Sequence, residues 1–119
     1  MTGKPTRDRL RVSAMVEAAE EAKRDGAGGK ETFMAAGLVQ KAVLLDLIHL
    51  TESAEKASSG LKKSNPRIPW GRLSRLRNRG LVHDYAAVDF EEIWAFVREE
   101  LPRLRRQLDR VRYPDENGA

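Results

Sequence analysis

The sequence predicts an all-α fold, an up-down bundle of four to five helices in a single domain spanning 1–119. Three observations carry that prediction. Strand signals are thin, because Ile and Thr are few and no alternation of apolar and polar residues persists. Several stretches repeat apolar residues at the helical period, and segments rich in Gly or Pro separate them. A chain of 119 residues, 40% hydrophobic and 34% charged, suits one small helical domain with a heavily charged exterior.

The elements are taken in chain order. From about Asp8 to Arg24, Leu10, Met15, Val16, Ala19 and Ala22 fall near one face, which predicts a first amphipathic helix. Gly26, Gly28 and Gly29 end it. They read as a hinge, since no strand precedes them and no Gly-Lys-Ser/Thr comes after to make a phosphate loop. Lys30 to Ala36 is a short helical turn, and a long central helix runs from about Leu38 to Ser58. Ser58 to Pro69, SSGLKKSNPRIP, reads as a loop. A further helix starts near Trp70 and reaches the Arg77–Gly80 region. The last begins at Asp89 as N-cap, with Glu92 placed for a capping box. Its stripe of Ile93, Val97, Leu101, Leu104, Leu108 and Val111 has the rhythm of helix-on-helix packing. Pro102 is expected to kink this helix or start a new one. The ends, 1–7 and 114–119, are expected to be flexible.

Composition excludes several function classes. The chain contains no cysteine, so disulfides, thiol catalysis and thiolate metal sites are ruled out. No apolar run is long enough to cross a bilayer, and MTGKPTRDRLRV has no continuous apolar core of a secretory signal. A cytoplasmic protein without a membrane association is the expectation. Only two histidines are present, His49 and His83, without HExxH spacing, so neither a metal nor another cofactor is expected. No Gly-x-Ser-x-Gly elbow supports a serine hydrolase. His49, between Asp46 and Glu52, fits a partly buried polar stripe, and Trp70 and Trp94 fit core anchors.

Charge is segregated. The net charge is only +4, yet no acidic residue occurs between Glu55 and Asp84. That window holds Lys56, Lys62, Lys63, Arg67, Arg72, Arg75, Arg77 and Arg79, while the rest of the chain is net acidic. One basic face suits a polyanion. Lys62, Lys63, Arg72, Arg75 and Arg79 are therefore candidate RNA contacts. The block leads into RLRNRGLVHDY, where metal-free RNA cleavage finds its parts. Attack by a ribose 2′-hydroxyl needs a base, an acid and a cation on the phosphate. His83 titrates near neutrality, Arg77 offers a planar charged fork, and Asn78 is placed to orient either. One convincing histidine per chain argues for a two-fold homodimer that brings two copies of the motif to one cleft. Arg77 and His83 lie six residues apart, about 120° around a regular helix. Gly80 between them leaves two options: a bulge that absorbs a residue, or a helix end that puts His83 on a turn.

RLRNRGLVHDYAAVDFEEIW resembles the signature of HepT-like proteins of the HEPN superfamily: Arg, four to six residues, His, then Tyr two further on. GLVQKAVLLDLIHLTESAEKAS, NPRIPW and FEEIWAFVREELPRLRRQL keep that family's layout in order, from about Asp8 to Arg110. The usual HepT spacing places four residues between Arg and His; here Asn78 to Val82 makes five. The resemblance implies a HEPN-like bundle that dimerises around a shared groove. It also implies metal-independent endoribonuclease activity as the toxin of a toxin–antitoxin pair. The partner it implies is an MntA-like nucleotidyltransferase antitoxin that attaches AMP to the motif tyrosine, here Tyr85. The alternative from another class is a non-catalytic helical module that binds such a nucleotidyltransferase.

Overall fold

The computed structural model describes residues 6–81 and 85–114, and every described regular element is helical. Helix α1 (Arg7–Asp25) starts where the Thr6 hydroxyl accepts a hydrogen bond from the Arg9 N–H at 3.1 Å. It buries Val12, Met15, Ala18, Ala19 and Ala22. Of the predicted face, Met15, Ala19 and Ala22 are buried and Val16 packs at the core's edge, whereas Leu10 is 55% exposed because the helix turns Val12 inward instead. Gly29 forms the hinge in a left-handed conformation, φ 92°, that disfavours any side chain. The short α2 (Lys30–Ala35) comes next, with Phe33 fully buried. The central α3 (Gly37–Glu55) lies mainly against α1, as its many apolar faces require.

The Ser58–Pro69 loop expectation is corrected in part, because Ser59–Ser64 forms a helix, α4. The Ser58 hydroxyl caps it by accepting from the Leu61 N–H at 3.1 Å. Asp8 holds that cap from α1, accepting from the Ser58 N–H at 3.0 Å and its hydroxyl at 2.6 Å. Capping supplies what six residues lack in intrinsic helix stability.

Helix α5 (Trp70–Leu76) continues into a wide π-type turn over Arg77–Leu81, and both pack on α3. After a 3₁₀ turn over Tyr85–Ala87, α6 (Phe90–Ala95) begins at Asp89. The Asp89 carboxylate accepts from the Glu91 and Glu92 N–H groups at 3.0 and 3.2 Å, so the predicted N-cap is present. The reciprocal half of the capping box has another use: the Glu92 carboxylate lies 3.6 Å from Arg72. Pro102 starts a new helix, α7 (Leu101–Leu108), behind a second wide turn at Phe96–Glu100. There the Leu101 N–H reaches back five residues to the Phe96 carbonyl, which accommodates a proline that has no N–H to give.

One core runs through the molecule. It includes Met15, Phe33, Leu47, Leu50, Leu73, Ile93, Phe96 and Leu104, while Val97 and Val111 of the predicted stripe pack at its edge. Trp94 is buried and Trp70 half-buried, its indole N–H donating to the Asn65 carbonyl at 3.0 Å. No helix among the described residues is long and apolar enough to cross a membrane. Of the ends expected to be flexible, 1–5 and 115–119 lie outside the described residues, whereas Thr6 and Arg7 begin α1.

Candidate active site

Arg77 is the first residue of the π turn, so its side chain leaves α5 where the backbone widens against α3. The backbone over Arg77–Leu81 is a π turn, which spends one residue more per turn than an α-helix, while the placement of His83 that separates the two options for Gly80 lies outside the described residues. The Arg77 guanidinium is half-buried and pairs with no carboxylate among the described residues. Its Nε is buried without a hydrogen-bond partner, and Nη1 reaches Asn78 Oδ1 only at 3.4 Å. A half-buried guanidinium with an N–H left unbonded among the described residues retains a donor that an anion can use.

Asn78 is exposed, and its Nδ2 lies 3.5 Å from Ser74 Oγ one turn back. The Ser74 hydroxyl donates to Glu55 Oε1 at 3.1 Å, so a polar chain runs from the end of α3 to Arg77. The sequence reading missed Glu55 and Ser74. The i, i+4 spacing of Ser74 and Asn78 was a visible signal, but the contact to Glu55 depends on how α5 docks on α3.

His83 lies outside the described residues, which stop at Leu81 and resume at Tyr85. Tyr85 is 48% exposed. Its ring sits edge-on to Phe90 with centroids 5.8 Å apart, and Lys41 Nζ of α3 is 6.0 Å from the ring. Leu38, Lys41 and Leu45 occupy one face of α3 by their spacing, and the leucines are 83% and 52% exposed.

The expected RNA contacts divide. Arg75, Arg79 and Lys63 are exposed and form no ion pair among the described residues. Lys62 donates to the Glu55 carbonyl at 3.3 Å. Arg72 is committed within the fold: its Nε and Nη2 bind Glu100 at 3.0 Å each, and its guanidinium lies 5.6 Å from the Phe96 ring centre. His49 is exposed and lines a shallow groove with Glu17, Glu21 and Glu52. Its neighbour Asp46 is only 5% exposed, and burial, then Asp25 and Glu21 of α1, push its carboxyl up to about 8. No group of His, Asp and Glu side chains among the described residues is arranged to hold a metal ion.

With this geometry in place, comparison of the chain with known proteins decides its kinship: the model of the ribonuclease HepT-like family matches residues 15–111. The chain belongs to the HepT-like ribonuclease family. It is 30% identical over 82 residues to a Thermococcus cleftensis protein named "Probable ribonuclease HepT", covering 69% of this chain and 74% of that one. A Methanocaldococcus jannaschii protein named "Putative RNase MJ1380" is 26% identical over 74 residues, 62% of this chain and 67% of its own. No solved structure matches the chain significantly. The HepT-like match spans α1 to the end of α7, so the Arg77 turn lies within it.

Proposed function

We propose that the protein is a metal-independent endoribonuclease acting as a toxin, with Arg77 stabilising the phosphate, His83 moving the proton and Asn78 orienting them. The observation that carries this reading is the half-buried Arg77 guanidinium, without a carboxylate partner among the described residues, at the end of an acid-free basic stretch. In the reaction, a ribose 2′-oxygen bonds to the adjacent phosphorus as a base takes its proton. The 5′-oxygen leaves with a proton from an acid, giving a 2′,3′-cyclic phosphate and a 5′-hydroxyl. The two proton transfers need two titratable groups, which a homodimer supplies as two copies of His83. Exposed Leu38 and Leu45, on the face of α3 whose Lys41 lies by the Tyr85 ring, offer apolar surface for such a contact. Arg75, Arg79, Lys62 and Lys63 add phosphate contacts, and Arg72 adds field more than a direct bond, given its carboxylates.

The exposed Tyr85 ring suits the off-switch. Its phenolic oxygen would attack the α-phosphorus of ATP held by an MntA-like nucleotidyltransferase, releasing pyrophosphate and giving its proton to a base on that enzyme. The added anion would then compete with RNA for Arg77.

The test is expression of wild type, Arg77→Ala and His83→Ala, with Ser74→Ala as a positioning variant. Growth arrest and RNA fragments ending in cyclic phosphate are expected from wild type and lost in the first two. Ser74→Ala should lower the rate several-fold while the fold stays intact. Folded wild type that arrests nothing and cuts nothing would leave the chain as a non-catalytic module of the nucleotidyltransferase.

A further inference from the structure

The loop before α5 and the segment after α7 meet in a polar groove of about 520 Å³ with no carboxylate among its described lining residues. Three arginines border it: Arg67 from the loop, and Arg110 and Arg112 from the end of the chain. All three are exposed, and none forms an ion pair among the described residues. Like charges converge here without internal neutralisation, which costs the folded state energy that an anion would recover.

The groove is also built. Asn65 clamps the two arms together: its Nδ2 donates to the Arg112 carbonyl and its Oδ1 accepts from the Arg112 N–H, both at 2.9 Å. Gln107 Nε2 donates to the Arg67 carbonyl at 2.8 Å. Pro66 and Pro69 restrict the loop further. Both arms therefore hold their arginines on a fixed backbone, so less order must be imposed when a ligand binds. The Gln107 amide has its other end, Oε1, buried with no donor among the described residues. Its Nε2 bond fixes the amide's orientation and ties α7 to the loop that carries Arg67.

We infer that this groove is an exosite for the phosphodiester backbone of single-stranded RNA, with Arg67, Arg110 and Arg112 on the phosphates and Asn65 and Gln107 holding the two arms in place. The inference rests on the ribonuclease reading and locates part of its substrate path. Guanidinium forks match the phosphate oxygens of a single strand. Arg77 stands on the order of 10 Å along α5 from Trp70, the residue that begins that helix just after the groove's Ile68.

The experiment measures binding of a fluorescein-labelled single-stranded RNA by anisotropy across a salt series, with His83→Ala in every protein to keep the RNA whole. Adding R67A, R110A and R112A should weaken binding about tenfold or more and reduce the salt slope by about 2, the share of three phosphates. The control, K23A with R24A and R98A, removes equal charge around the end of α1 and should weaken it far less. Circular dichroism checks folding, and replacement of the three arginines by lysine should recover much of the affinity. Equal losses in the two triple variants, or none in the first, overturn the exosite; with no loss, the groove is left to an acidic protein surface. Cleavage by the chain with native His83 is scored separately. An active enzyme with an indifferent groove sinks only the exosite, whereas groove-dependent binding without cleavage sinks only the ribonuclease reading.

Discussion

Arg72 of α5 and Glu100 of the second wide turn form a two-bond fork, with both N···O distances at 3.0 Å. The fork joins elements 28 residues apart, with Glu92 adding a longer contact. Its geometry is that of the stronger charge-assisted pairs, though partial exposure weakens it. Arg72→Ala should therefore destabilise the bundle by about 1 kcal/mol, with a coupling to Glu100→Gln of similar size in a double-mutant cycle. Arg75→Ala, which breaks no pair, should leave the urea midpoint almost unchanged. Equal shifts for the two arginines would show that the fork contributes nothing to stability.

Asp46 makes stability depend on pH. Its carboxyl is raised from an ordinary value of 3.8 to about 8 by burial and by Asp25 and Glu21. The folded state therefore binds the proton more tightly than the unfolded chain, and the carboxyl's contribution falls as pH rises from about 4 to 8. Protonated, Asp46 is a donor for Asp25; ionised, it adds a buried charge beside two others. Asp46→Asn should gain on the order of 1 kcal/mol or more at pH 9 and nothing at pH 3.5. Urea titrations at the two pH values measure this, and a pH-independent difference would contradict it.

Phe33 tests the aromatic chain beneath Tyr85. Its ring contacts Phe90 at 6.0 Å and Trp94 at 5.2 Å between centroids, and Phe90 in turn supports Tyr85 at 5.8 Å. Phe33→Ala should cost about 3–5 kcal/mol. A six-residue α2 has no stability of its own, so its amides should lose hydrogen-exchange protection at once. Retained protection in α2, or a loss below about 1 kcal/mol, would place its anchor elsewhere.

Helix periodicity was readable where burial repeats along a single element. The stripe from Ile93 to Leu108 and the Asp89 cap appear in the fold as the spacing implies. Helix α4 was hidden because Ser, Gly and Asn suggest a turn, while the clamp from Asp8 that secures its cap lies 50 residues away. The same limit governs the candidate site. Arg77 and Asn78 stand out in the sequence, but Glu55 joins them only through tertiary packing, as Arg110 and Arg112 join Arg67. Charge counting could not see that Arg72 is neutralised by acids from outside its own acid-free window.

Deletion of Gly80 should replace the π turn by regular α-helix and return the motif to the four-residue spacing usual in HepT proteins. Removing a glycine from a helical segment favours folding, so stability should hold or rise by up to about 1 kcal/mol. Chemical denaturation and the backbone chemical shifts of residues 77–81 read both effects. A loss of about 2 kcal/mol or more would mean that the wide turn is integral to the packing on α3.

That wide turn has a consequence for how the chain tolerates change. An added residue in a regular helix swings everything beyond it by about 100°. A π turn takes in the residue locally, within its one widened ring. The length of this motif is thereby decoupled from the geometry of the bundle: a single-codon insertion or loss can be absorbed while α5 keeps its seat on α3.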